Sequence, residues 1–284
     1  MKRLSLTLLL LAALYVLGCG SSDDSSSSTG ASAGAANCPK GKLATQKQGV
    51  LTVATDKPAY PPYFEDDDPT NGEGFESAVA YAIAKQLGYP PAKVEWTVEG
   101  FNASFAPGPK DFDFDVNQIT ITPPREKAVD FSAPYYKANQ AVVALKDSDA
   151  AKAKSLADLQ DAKLGVQIGT SSLEEAENEI EPSSRPEVFN TSNDVVQALK
   201  NGQIEAIVVD LPTALYLTAV QVPEATVVGQ FGAGSGEAWG ALLEKESQLT
   251  GCVSEAIEEL ESSGELEKIT QRWMSQAAGA PELH

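Results

Sequence analysis

An α/β fold with mainly parallel sheets is the architecture this chain predicts, and three observations predict it. Short apolar runs alternate with amphipathic helical stretches, the pattern of buried strands covered by helices. The helical stretches stop at glycines such as Gly88 and Gly202. Polar or small residues (Asp56, Thr120, Gly169, Asp210) stand at or near the carboxyl ends of the strand-like runs, where open α/β sheets bind ligands.

The elements follow in order. "GVLTVATD" reads as a strand ending at Asp56. "GFESAVAYAIAKQLGY" reads as a helix with Phe75, Val79, Ile83 and Leu87 on one face. "KVEWTVE" is a strand, and "FDFDVNQITIT" is a longer one ending at Thr122. "KLGVQIG" is a strand, and "TSSLEEAENEI" opens a helix with a capping box from Ser171 to Glu174. "DVVQALKNG" is a helix, "IEAIVVD" a strand ending at Asp210, and the tail from Cys252 to Met274 two helical segments broken at Gly264. Two stretches read as crossovers between lobes: "PYYKANQAVVAL" and the glycine-rich "FGAGSGEAWGALL". The expected organisation is 38–137 in one lobe, 138–238 in a second, and 239–284 returning to the first.

The amino terminus has a different character. Lys2 and Arg3 precede an apolar stretch, Leu4 to Leu17, too short for a stable span, which reads as a secretory signal over 1–18. Its end, "VLGC", resembles a bacterial lipoprotein signal, with Cys19 as the lipidated residue. The small polar tract that follows, to residue 37, has no apolar periodicity and reads as a tether with a reach of roughly 25 Å. Cys38 and Cys252 then remain to form a disulfide in an oxidising compartment.

The net charge is −19, and loss of the two leader cations makes it −21, a surface that repels nucleic acid and anionic lipid. The single histidine is the last residue, His284, which argues against Ser-His or Cys-His catalysis and against a His-rich metal site; no cofactor is expected.

The stretch "NQITITPPREK" poses the functional question. A hydroxyl at Thr120 and a guanidinium at Arg125 bracket the end of an apolar run, and the Arg fork matches a carboxylate. Alone, the pair also fits a strand followed by a solvated loop.

The wider chain decides between these. "LTVATDKPAYPPYF", "GFESAVAYAIAKQLG", "ITITPPREKAVDFSAPYY", "LGVQIGTSS" and "IEAIVVDLPTALY" resemble, in order, the signatures of the extracellular solute-binding proteins of family 3, the polar-amino-acid receptors of ABC importers. The resemblance implies a two-lobe periplasmic-binding-protein fold of type II, hinged by two crossover strands, with the ligand between the lobes. It implies that Arg125, Thr120 and the Gly169–Thr170–Ser171 turn hold the ligand α-carboxylate. Asp210 and the Gln118 carbonyl would take the α-ammonium, and Phe101 with Tyr60 or Tyr63 the side chain, with Asp56 at its far end. Bland rivals stand beside these: Thr170, Ser171 and Asp210 as helix caps, Phe101 as core. Asn117 and Gln118 stand where the family carries small residues, Pro107-Gly108-Pro109 interrupts a helical segment, and "DKPAYPPY" is one residue longer than the family spacing.

The expected protein is therefore an exported, lipid-anchored monomer, on the extracellular face or in the periplasm. It captures a polar neutral or cationic L-amino acid by lobe closure and passes it to permease subunits, with no catalysis. Two rivals are an enzyme on the same fold (a dehydratase or peptidoglycan lyase using Glu76 or Asp56) and a sensory ligand-binding module.

Overall fold

The computed structural model describes residues 38–232, 237–274 and 280–284. The signal segment 1–18, the lipidation site Cys19 and the tether to residue 37 lie outside the described residues. In chain order the elements are β1 (Leu51–Thr55), α1 (Phe75–Gln86), β2 (Val94–Val98), α2 (Phe101–Ser104), β3 (Phe114–Asp115), α3 (Pro123–Glu126) and β4 (Asp130–Ala138). There follow β5 (Gln140–Leu145), β6 (Leu164–Gln167), α4 (Ser171–Glu175), β7 (Glu187–Phe189), α5 (Ser192–Lys200), β8 (Ala206–Asp210), α6 (Leu211–Tyr216) and β9 (Ala225–Phe231). β10 (Glu237–Leu243), α7 (Thr250–Ser262) and α8 (Glu265–Met274) complete the set.

The strands form two five-stranded sheets, one per lobe, in the orders β2-β1-β3-β10-β4 and β7-β6-β8-β5-β9. Each sheet is mixed rather than mainly parallel. β1 runs parallel to β2 and β3, and β6 parallel to β7 and β8. The remaining strands enter antiparallel, because β4 leads into β5 through one residue, Asn139, and β10 returns beside β4. The two crossovers are thus the ends of long antiparallel strands.

Both sheets are covered on both faces, which is why their central strands are apolar at successive positions. All five residues of β1 are buried. In β5, Ala141 and Val143 pack with Val195, Leu199 and Ile207 on one face; Val142 and Ala144 pack with Leu159, Val166 and Val208 on the other. In the first lobe Leu51, Val53 and Phe75 pack with α7 residues Val253 and Ile257, while Ala54, Phe112, Ile119 and Leu242 fill the opposite side.

The Cys38–Cys252 disulfide is present, tying the segment before β1 to α7 across a separation of 214 residues. Closing so long a loop in the unfolded chain corresponds to about 5 kcal/mol of lost chain entropy, an upper figure.

Three local expectations are corrected. The long strand ending at Thr122 is only the two residues of β3. Gln118 takes a left-handed backbone (φ 48°) that breaks the extended run, Thr120 keeps a single bridge to Trp239, and Thr122 accepts from the Arg125 N–H as the cap of α3. The capping box at Ser171 does not form: Thr170 is the cap residue without a side-chain cap bond, and the Ser171 hydroxyl points elsewhere. Residues 280–284 do not stay with the first lobe. Gln230 of β9 exchanges backbone bonds with Pro281 and Leu283, and Leu283 is buried in the second lobe's core, where an apolar side chain covers the sheet edge.

Candidate functional site

A cavity of about 260 Å³ lies between the carboxyl ends of the two sheets. Asp56, Tyr60, Tyr63, Phe101, Gln118, Thr170, Ser171 and Asp210, named from sequence, all line it. Thr120, Arg125 and Gly169 do not; they form a second layer behind Ser171.

That layer is built around Arg125, which is buried rather than solvated. Its guanidinium donates to the Thr120 carbonyl (2.6 Å) and, across the lobes, to the Gly169 carbonyl (2.9 Å). Phe105 and Phe101 cover it, with ring centres 4.5 and 5.5 Å from Cζ. Burial pulls its pKa down, and Glu237 leads the acids that oppose this. Gly169 has φ +78°, a left-handed backbone that favours glycine, and from it the carbonyl is presented to Arg125.

In front of the guanidinium the hydroxyls of Thr120 and Ser171 meet across the lobes at 3.0 Å. Both touch one oxygen, Oε2 of Glu237, at 3.0 and 2.6 Å. Gln140 also donates to that oxygen (3.1 Å) and to Asp210 (2.8 Å). Asp210 makes no cap bond to α6, which removes the capping explanation for it. Burial pushes its pKa up to about 8, with the charge of Glu237 the next cause.

The floor is set by Glu76 of α1, fully buried, which accepts from the Gln118 N–H (2.7 Å), the Gln118 side-chain amide and the Tyr135 hydroxyl. Burial pushes its pKa up to about 7, although all three bonds favour the charged form. The Gln118 amide is thereby held against α1, and the half-pocket is less narrowed than a free glutamine side chain would make it. Asn117, also on the wall, has a buried amide nitrogen without a hydrogen-bond partner.

At the far end, Asp56 follows β1 directly and accepts from the Lys57 N–H (2.6 Å) and the Phe101 N–H (3.3 Å). It is a loop anchor as well as a wall. The two tyrosines divide their tasks. Tyr63 is buried, edge-on to Trp239, with its hydroxyl 2.8 Å from Thr213. Tyr60 reaches further across, donating to Asn193 (2.6 Å) with its ring 6.2 Å from Tyr216. Phe101 is half-buried, at once cavity wall and partner of the small core behind it.

Glu237, Gln140, Asn193, Thr213 and Tyr216 were not named from sequence. Two had a signal: Glu237 is a lone charge in a glycine-rich run, and Gln140 is a polar residue opening an apolar strand. Among the described residues no acidic, cysteine and histidine group could hold a metal, and no helix is long and apolar enough to cross a membrane.

Residues 51–276 match the bacterial extracellular solute-binding proteins, family 3. The chain belongs to that family. It is similar to the arginine-binding extracellular protein ArtP of Bacillus subtilis (33% identical over 240 residues, 83% of this chain and 89% of the relative). It is also similar to the L-cystine-binding protein TcyJ of Escherichia coli K12 (30% over 230 residues, 80% and 84%). A solved structure of an ancestral arginine-binding protein bound to glutamine superposes with a TM-score of 0.67 at 33% identity, over 80% of this chain and 98% of that one. Family 3 solute-binding proteins are two-lobe α/β receptors, and this chain is one of them.

Proposed function

We propose that this receptor captures a polar L-amino acid, neutral or cationic, between its lobes and delivers it to the permease subunits of an ABC importer. The observation that carries the reading is the polarity of the cavity. Hydroxyls backed by the Arg125 guanidinium lie at one end, and the enclosed carboxyl of Asp210 lies beside them, so the two ends of one zwitterion are answered within a single cleft. The relatives named for arginine and cystine, and the ancestral arginine-binding protein bound to glutamine, support an amino-acid ligand. Thr120, Ser171 and the Gly169–Thr170 turn, with Arg125 behind them, receive the α-carboxylate. Asp210 receives the α-ammonium, and Asp56, Tyr60 and Phe101 meet the side chain. Closure stabilises the complex because the ligand bridges groups that sit on opposite lobes.

The lobes comprise 38–137 with most of 239–284, and 138–238. The leader 1–18 directs export, Cys19 carries lipid, and the tether to residue 37 holds a monomer off the membrane. Binding without turnover is the reading for the site. Of the carboxylates an enzyme would use, Glu76 is fully buried and held by three hydrogen bonds, and Asp56 accepts from two backbone amides that fix its loop.

A thermal-shift screen of the standard amino acids tests this, since a ligand that binds only the native state raises its melting temperature. Arginine, lysine, histidine or glutamine should give the large shifts; no shift with any amino acid would overturn the reading. Incubation with prephenate, arogenate or cell-wall fragments should give no product, and product would restore the enzyme reading.

A further inference from the structure

Beside the cavity wall, against the lining residue Ser171, stands one carboxylate that the amino-acid reading does not use. Glu237 opens β10 at the second crossover, and its Oε2 sits on Thr120 Oγ1 (3.0 Å), Ser171 Oγ (2.6 Å) and Gln140 Nε2 (3.1 Å). Thr120 and Ser171 are the hydroxyls assigned above to a ligand's α-carboxylate, and Arg125, behind them, senses Glu237 more strongly than any other acid. A carboxylate already stands where the ligand's carboxylate is to go. Because Thr120 belongs to one lobe and Ser171 to the other, this carboxylate also bridges them. It joins Arg125–Gly169, Tyr60–Asn193 and Tyr63–Thr213 among the contacts that cross from lobe to lobe.

We propose that Glu237 is the receptor's own occupant of the anion subsite, an internal carboxylate that an incoming amino acid displaces, and thereby a determinant of affinity and ligand class. The proposal rests on the amino-acid reading for its ligand and on the geometry of Glu237 for its mechanism.

Two features of the site make the occupant displaceable. First, its contacts are incomplete. Arg125 spends its bonds on the carbonyls of Thr120 and Gly169 rather than on Glu237, so no bidentate guanidinium–carboxylate pair locks it in place. Second, it crowds Asp210. Gln140 turns its amide N–H toward both acids and leaves its own buried oxygen without a donor, and the Glu237 charge helps keep Asp210 protonated. A zwitterion that replaces Glu237 relieves both. Its carboxylate takes the hydroxyls, the distant Glu237 no longer opposes ionisation of Asp210, and the ammonium finds an anion. A cation without an α-carboxylate gains no such exchange, because it has nothing to place on Thr120 and Ser171.

The affinity of a site that is free only part of the time is reduced by the fraction of time it is free. If Glu237 holds the subsite in most molecules, its removal tightens amino-acid binding by about tenfold.

Calorimetric titration of the intact protein and of Glu237→Gln with L-arginine, L-glutamine and agmatine tests this; agmatine is arginine without its carboxylate. The expected result is about tenfold tighter binding of whichever amino acid binds, with agmatine unchanged or weaker. Unchanged or weaker amino-acid binding would overturn the proposal, as would an equal gain for agmatine. Should neither amino acid bind either protein, the ligand reading fails by itself, and small-angle scattering without ligand decides the fate of Glu237. Glu237→Gln and, where that variant misfolds, Glu237→Ala should have a larger radius of gyration than the parent protein. An unchanged radius would show that Glu237 does not hold the lobes together.

Discussion

The two ends of the cleft are made in different ways. At the anion end each group is fixed by something behind it. Arg125 is clamped by two carbonyls and two rings, Gly169 by its backbone, and Thr120 and Ser171 by each other and Glu237. At the far end the groups are half-buried or exposed and spend few bonds: Tyr60 on Asn193, Asp56 on two loop amides, Ser192 on Gln167. Every α-amino acid shares its carboxylate and ammonium, whereas the side chain varies. A preorganised anchor with an adaptable remainder is the division such a receptor needs, since prepaid ordering at the constant end lowers the cost of binding.

The largest expected effect breaks the anchor. Arg125→Ala should weaken binding by roughly two to four decades, because it leaves a ligand carboxylate enclosed without its countercharge. It should also lower the melting temperature, since the buried carbonyl of Thr120 loses its donor at about 1–3 kcal/mol, while the exposed Gly169 can turn its carbonyl to water. Calorimetry showing an unchanged dissociation constant would mean that the guanidinium is only a strut between lobes.

The second effect concerns Asp210 and protons. Burial raises its pKa to about 8, against 3.8 for the ordinary group, so the folded protein holds a proton that the unfolded chain releases. The stability this gives is complete below about 4 and is lost as pH rises through about 8, so the ligand-free protein should melt lower at pH 8.5 than at pH 6. An incoming ammonium drives the proton off. Titrations at pH 7 in buffers of different ionisation heat should report proton release on binding. Asp210→Asn should abolish that release and cost one to two decades of affinity, about what a charged hydrogen bond supplies. Binding with no proton exchange would place the ammonium elsewhere.

How much of this the sequence disclosed follows the same division. The main helices, the parallel strands and the disulfide partners were legible because apolar periodicity and cysteine number are local or arithmetic properties; β7 and β9 were not read as strands. That Arg125 and Asp210 come near one cleft was legible, as charges set at the ends of apolar runs, though Arg125 sits behind the cavity wall. Three things were not. The antiparallel return of β10 depends on which strand ends meet in space. The left-handed turn at Gln118 depends on Glu76, 42 positions away, receiving both its backbone and side-chain N–H. Glu237 sat in a glycine-rich crossover that reads as a hinge, and only the meeting of two lobes puts its carboxylate on Ser171. Long-range pairings of polar groups leave no periodic trace.

A third prediction sharpens the comparison at the far end. Asp56 lines the cavity with a carboxylate anchored by two amides; on the proposed reading, which puts the ligand side chain there, glutamate should bind far more weakly than glutamine. Asp56→Asn should narrow that difference by about one decade, a modest figure because the site is partly open to solvent, where charge interactions are screened. A glutamate-to-glutamine ratio that does not move in competition assays would leave Asp56 as a loop anchor alone.

The smallest effect lies at Tyr60, whose hydroxyl crosses the cleft to Asn193 while its ring packs near Tyr216. Tyr60→Phe keeps the ring and removes only the hydroxyl. Both partners can find water in the open form, so the net loss is that of one ordinary hydrogen bond, about 0.5–1.5 kcal/mol, and the dissociation constant should rise by less than about tenfold. Because the lost bond exists only when the lobes meet, the change should appear as faster ligand release with an unaltered association rate. Stopped-flow kinetics would separate the two. A slower association with unchanged release would mean that Tyr60 acts on the open receptor, steering the ligand in, and the far end would then be as preorganised as the anchor.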